Sequence, residues 1–126
     1  MRNSLAFSFL SIIALAGAVA PAVAHHSFAM FDSSKKTKIS GKVSQFQWTN
    51  PHIFLEVAVP DGKGGSTNWS IEGGAPNVMG MHGWKRTSFK PGDTVEVELR
   101  PLRSGAPGGA FITVRTADGA ILKGML

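Results

Sequence analysis

The feature that most restricts this chain is an eight-residue alternation directly after a proline. Ile53, Leu55, Val57 and Val59 alternate with His52, Phe54, Glu56 and Ala58. A period of two sends one set to a buried face and the other to an outer face, which predicts a half-buried strand. Its β-branched content suits a pleated surface. The preceding stretch, Thr37 to Trp48, cannot be a straight strand. Ile39 and Val43 share one parity, while Phe46 and Trp48 share the other. Both pairs reach one core only if an extra residue separates them. A bulge or sharp bend is therefore expected near Ser44-Gln45, helped by Gly41. Thr49-Asn50-Pro51 makes the corner between the two strands, because Asn bonds to its own backbone and Pro51 keeps Asn50 out of the helical region. His52 then opens the second strand, on the face of Phe54 and Glu56.

Turn chemistry divides the rest. Pro60 to Ser66 is a seven-residue glycine-rich turn, and Thr67 to Glu72 is the third strand, with Trp69 and Ile71 on one face. Ala75 to Gly83 predicts a short helix, with Pro76 in its first turn and Gly83 as a left-handed stop. A turn at Lys90-Pro91-Gly92-Asp93 precedes a strand from Thr94 to Arg100, with Val95, Val97 and Leu99 inward. Ser104 to Gly109 is a loop by composition. Ala110 to Thr116 is the next strand, and Ala120 to Leu122 a short last one. Three strands, a short helix and two more strands, the first long and bent, predict an all-β fold. The expected architecture is a small OB-like five-stranded barrel, with a plain β-sandwich as the competing arrangement.

The first 24 residues predict a signal peptide. Arg2 precedes an apolar run from Leu5 to Ala20, Pro21 breaks it, and Ala22-Val23-Ala24 has the small residues of a cleavage site. An N-terminal membrane anchor is the alternative, although the run is short for a span. The expected division is a signal peptide over 1–24, an arm over 25–36 and the barrel over 37–126, exported to the periplasm or beyond. The net charge of +5 falls to +4 once Arg2 is removed. There are no cysteines, which excludes thiol catalysis, disulfides and thiolate metal sites.

Cleavage after Ala24 would make His25 the first residue. Its amine and imidazole then chelate as a pair, and His26 or His52 supplies a third nitrogen. Such a nitrogen set suits Cu(II). Glu56, on the face of His52, is the expected carboxylate behind it. Trp48, Asn50 and Phe54 are the other candidate ligand contacts. Binding should weaken below about pH 6, since imidazole must be neutral to ligate. The plainer alternatives are a polar chain start for His25 and His26 and a turn-capping role for His52. Met79, Met81 and His82 have the chemistry of a soft site, but methionines on a short helix over a barrel end more often plug a core. Lys35, Lys36, Lys38 and Lys42 predict a solvated strand face, and no nucleic-acid partner is expected. No serine stands in a nucleophile elbow, no glycine loop precedes a helix with a lysine, and the carboxylates are scattered. The expected function is a periplasmic, non-enzymatic binding protein, with copper as its candidate ligand. The alternative is an envelope protein whose barrel face binds a peptide, glycan or partner protein without metal.

His25-His26-Ser27-Phe28, Gly41-Lys42-Val43, Trp48-Thr49-Asn50-Pro51-His52, Asn68-Trp69, Glu72, Gly83-Trp84, Lys90-Pro91-Gly92-Asp93 and Asp118-Gly119 together resemble a family of small exported bacterial proteins classed as a domain of unknown function. The resemblance spans nearly all of the mature chain and implies a single secreted β-barrel-like domain, with no established activity. At His25 alone, the amine-plus-imidazole start is similar to that of periplasmic copper carriers and lytic polysaccharide monooxygenases.

Overall fold

A computed structural model describes residues 28–124. After a 3-10 turn at Phe28–Met30 come β1 (Thr37–Gln47), β2 (Phe54–Pro60), β3 (Ser66–Glu72), α1 (Pro76–Met81), β4 (Thr94–Pro101), β5 (Gly108–Thr116) and β6 (Ile121–Lys123). The sheet runs β3-β2-β1-β4-β5-β6, and a parallel pairing of β3 with β5 joins its ends. Five strands thus close into a barrel, with β6 as an extra strand on β5. That closure is what separates the OB-like arrangement from a sandwich of two sheets.

The parity conflict in β1 is resolved as its sequence requires. Val43 pairs with Val57 and Gln45 with Glu56, so Ser44 is the inserted residue of a bulge. Ile39 and Val43 are buried before it, and Phe46 and Trp48 pack on the same core after it. Gly41 contributes by contact: a Cβ there would lie 2.2 Å from the Ala58 carbonyl oxygen. Leu55 and Val57 of β2, and Ile53 just before it, are fully buried, and Val59 is partly so. The regular strand begins at Phe54 rather than at the expected His52. Val95, Val97 and Leu99 of β4 point inward, as do Phe111 and Val114 of β5. Each such side chain contributes roughly 1.5–3 kcal/mol of burial before conformational entropy is subtracted.

One end of the barrel is filled by aromatic rings. Trp84 stands 5.1 Å from Phe111 and 5.6 Å from Phe89, and Phe46 stands 5.4 Å from Phe89. Trp84 is 1 % exposed, and its indole N–H donates to the Lys123 carbonyl at 2.9 Å, which ties β6 to the end of the barrel. Helix α1 drops Met79 into this cluster with no exposure, while Met81 points to solvent. The methionines therefore do not converge on a soft site; Met79 is core. Gly83 ends the segment at φ +86°, a conformation costly for any residue with a Cβ.

The arm lies along the start of the β4–β5 connection. Phe31 is buried and bridges to Leu102. The Asp32 amide donates to the Pro101 carbonyl at 2.8 Å, and the Arg103 amide to the Met30 carbonyl at 2.9 Å. Arg103 Nε donates to the Ala29 carbonyl at 2.9 Å, and the Arg100 guanidinium to the Ser33 carbonyl. The Ser34 hydroxyl, then its amide and Lys35, hold the Asp32 carboxyl below its ordinary value. No helix among the described residues is long and apolar enough to cross a membrane.

Candidate functional site

The corner at Thr49-Asn50-Pro51 holds a cis peptide bond before Pro51. Thr49 Oγ1 donates to the His52 carbonyl at 3.2 Å across it. The chain then runs extended into β2. Backbone bonds from Ile53 to the Gly74 carbonyl, and from Gly73 to the Ile53 carbonyl, carry the β2–β3 pairing past the last regular residue. These bonds bring the His52 ring against the end of β3. Its Nδ1 lies 2.9 Å from the Gly73 carbonyl oxygen and 3.0 Å from Glu72 Oε1.

A carbonyl oxygen can only accept, so Nδ1 carries the proton. In the neutral ring the lone pair is then on Nε2. Glu72 is 8 % exposed, the one buried charged residue among those described. A carboxylate so far from water requires a polar partner, and the imidazole N–H is that partner. The result is a histidine with fixed tautomer and orientation, backed by a carboxylate. This is how metal-bound imidazoles are commonly held.

His52 and Glu72 line a cavity of about 110 Å³ together with Phe28, Phe31, Gly73 and Phe111. Its walls are otherwise almost wholly apolar. A neighbouring cavity of about 190 Å³ shares Phe31 and Glu72 and adds Met30, Phe54 and Ser70. The 3-10 turn of the arm therefore stands over the corner histidine. Phe28, 63 % exposed, is the outermost of these rings.

The expected site residues separate into three groups. His52 and Phe54 sit at the paired cavities. Trp48, Asn50 and Glu56 do not line them. Trp48 is half-buried against Phe46, with ring centroids 5.9 Å apart, and Asn50 is exposed at the corner. The carboxylate of Glu56 accepts from Ser70 Oγ at 2.6 Å and Asn68 Nδ2 at 2.5 Å. The carboxylate behind His52 is Glu72 instead. His25 and His26 lie outside the described residues. Among the described residues no group of three His, Cys, Asp or Glu side chains could hold a metal ion by itself.

Glu72 had a signal in the sequence. A seven-residue turn from Pro60 to Ser66 sets Val59 opposite Thr67. Counting back along that register places Phe54 opposite Glu72 and Glu56 opposite Ser70, and both pairings are present. His52 then falls beside the end of β3.

A family model described as a family of unknown function (DUF6152) matches residues 13–111, and the chain belongs to that family. The match runs through β1 to β4 and into β5. No curated protein and no solved structure matches the chain.

Proposed function

We propose that this member of a family of unknown function is an exported, non-enzymatic binding protein that holds one copper ion between His52 and the histidines His25 and His26. The observation that carries the reading is the anchoring of His52 Nδ1 by the Gly73 carbonyl and Glu72, which fixes the orientation of the ring and backs it with a carboxylate, as metal-bound imidazoles are held. The position of Phe28 supports it. Phe28 lines the cavity of His52, and His25 is three residues upstream. Three residues span at most about 10 Å, which limits how far His25 can stand from Phe28. A first-residue amine and two or three imidazoles form an all-nitrogen set, which favours Cu(II) over harder or softer cations.

The test is thermal melting of the secreted, processed protein with Cu(II). At 100-fold excess over the dissociation constant, a ligand stabilises the fold by about 2.7 kcal/mol. For a domain of this size that is about 10 °C or more. The shift should vanish in His52→Ala. A melting curve that copper does not move removes the copper reading.

A metal-free envelope protein that binds a peptide, glycan or partner through its barrel face is the second reading. It draws on partly exposed Phe54 beside Met30 in the larger cavity. Trp48 and Phe54 keep partial exposure for such a surface, whereas Trp84 is 1 % exposed and contributes nothing to it. Saturable binding of a peptide or glycan that Phe54→Ala abolishes, with copper inert, would favour it.

A further inference from the structure

Two cavities meet at one carboxylate. Glu72 lines both the cavity of about 110 Å³ under Phe28 and the cavity of about 190 Å³ beside Phe54. It is 8 % exposed, and its polar contact among the described residues is Oε1 against His52 Nδ1 at 3.0 Å. No described donor is hydrogen-bonded to its other oxygen, Oε2. None of the fully buried side-chain oxygens lacks a partner, so Oε2 is not sealed in and opens onto the cavities. The other polar groups there are engaged. The Gly73 carbonyl accepts from His52, the Gly74 carbonyl accepts from the Ile53 amide, and the Ser70 hydroxyl donates to Glu56. Most of the remaining wall is phenyl ring, from Phe28, Phe31, Phe54 and Phe111.

A neutral imidazole donates a hydrogen bond but brings no charge, so the negative charge of Glu72 stands uncompensated in a largely apolar space. The occupant that complements it is a cation. A calcium or magnesium ion needs about six or more oxygen ligands, and these walls offer one carboxylate. A primary ammonium carries several N–H donors, and those not facing Glu72 would be left unmet against phenyl rings, at the desolvation cost of an unpaired group. A methylated ammonium has the charge without those donors. Its methyl groups also suit aromatic faces, which attract cations through the ring quadrupole. The size agrees. An apolar cavity of about 150 Å³ holds benzene, so one of about 110 Å³ holds about four or five heavy atoms, as in a trimethylammonium head. We propose that Glu72 and the phenyl rings around it form a binding site for a methylated ammonium group, whose remaining chain extends past Glu72 into the larger cavity. The site uses no residue before Phe28 and is independent of copper.

The experiment titrates the protein expressed from its full-length sequence, with a metal chelator present, against choline and against its neutral carbon analogue, in which a tert-butyl group replaces trimethylammonium. The two probes share one shape and differ in charge. Amide shifts of Gly73, Gly74, Ala110 and Phe111, which line the smaller cavity, report occupancy by NMR. Choline should give saturable shifts there, with an affinity about tenfold or more above that of the neutral probe. In Glu72→Gln, choline should fall to the level of the neutral probe, whose own affinity should hold. A merely structural role for Glu72 would weaken both alike. Phe28 is 63 % exposed, so Phe28→Ala leaves the core intact, and it should weaken choline binding by about two- to fivefold. The primary amine n-butylammonium should bind more weakly than choline. Absence of saturable shifts, equal binding of the two probes, or a preference for choline that survives in Glu72→Gln overturns the proposal. So does choline binding that Phe28→Ala leaves unchanged, or tighter binding of n-butylammonium. Phosphatidylcholine vesicles that sediment with the protein, and release it to choline, would identify a lipid head group as the source of the ammonium; choline binding without vesicle binding identifies a free ion. Both results keep the site.

Discussion

Deleting Ser44 should damage the barrel far more than its exposed position suggests. Ser44 is the inserted residue between Val43, opposite Val57, and Gln45, opposite Glu56. Without it, one side of β1 must slip by one residue, and a one-residue slip turns every side chain to the other face. Slipping the first part would expel Ile39 and Val43, which are 6 % and 2 % exposed. Slipping the second part would expel Phe46 and Trp48, which are only half-buried, so this is the less costly outcome. Losing half of the burial of two aromatic residues costs about 1.5–3 kcal/mol. Phe46 also loses its edge contact with Phe89 at 5.4 Å, at about 0.5–1.5 kcal/mol where geometry is good. The expected loss is about 2–4 kcal/mol from a total of about 5–15, and roughly 10–25 °C in Tm. Urea titration followed by circular dichroism and tryptophan fluorescence measures it, as a lowered midpoint with an unchanged slope. Ser44→Ala is the control. It removes only an exposed hydrogen bond to Asn68, and should stay within about 0.5 kcal/mol of wild type. A deletion no more harmful than that control would refute the register argument.

Three further outcomes follow from the same structure. Met79→Ala removes a side chain with no exposure from the aromatic end of the barrel, and should cost about 2–5 kcal/mol by chemical denaturation; a cost below 1 kcal/mol would contradict its place in the core. Glu72→Gln keeps the shape beside His52 but removes the charge. It should weaken Cu(II) binding by about 10–100-fold in calorimetry, and an unchanged affinity would show that the carboxylate does not tune the ligand. The third concerns the β5–β6 turn. There the Thr116 hydroxyl, then the Ala120 amide, lower the Asp118 carboxyl from its usual 3.8. A carboxyl lowered on folding stabilises the folded state fully above that value and loses the contribution as pH falls through the lower one. Its titration by carbon-detected NMR should therefore have a midpoint below 3.8, and a midpoint at or above it would contradict the hydrogen bonds.

The sequence revealed those parts of the fold that rest on local alternation and turn chemistry. The two parities of Ile39/Val43 and Phe46/Trp48 sufficed to place a bulge, because a pleated strand has no other way to serve one core. Pro76 and Gly83 bracketed the helix because each fits a backbone conformation that few other residues take easily. The closing pair was hidden. Gly108 and Gly109 carry loop composition, yet both are buried where β5 meets β3. There the need for small residues comes from converging backbones and not from a turn. The His52–Glu72 pair was missed because alternation along β2 ranks Glu56 as the nearest carboxylate, whereas the contact crosses to β3. The arm's attachment was invisible for a similar reason. Arg100 and Arg103 bind its carbonyls across about seventy residues of chain, and periodicity says nothing about such pairs.

Native mass spectrometry of the protein expressed from its full-length sequence, with and without one equivalent of Cu(II), tests the central claim most directly. It reports the first residue and the metal stoichiometry in one spectrum. A chain that begins at His25 and carries one copper, with the adduct lost in His52→Ala, is the predicted result. A different first residue, or a chain that stays bare beside a copper-loaded reference peptide, would contradict it.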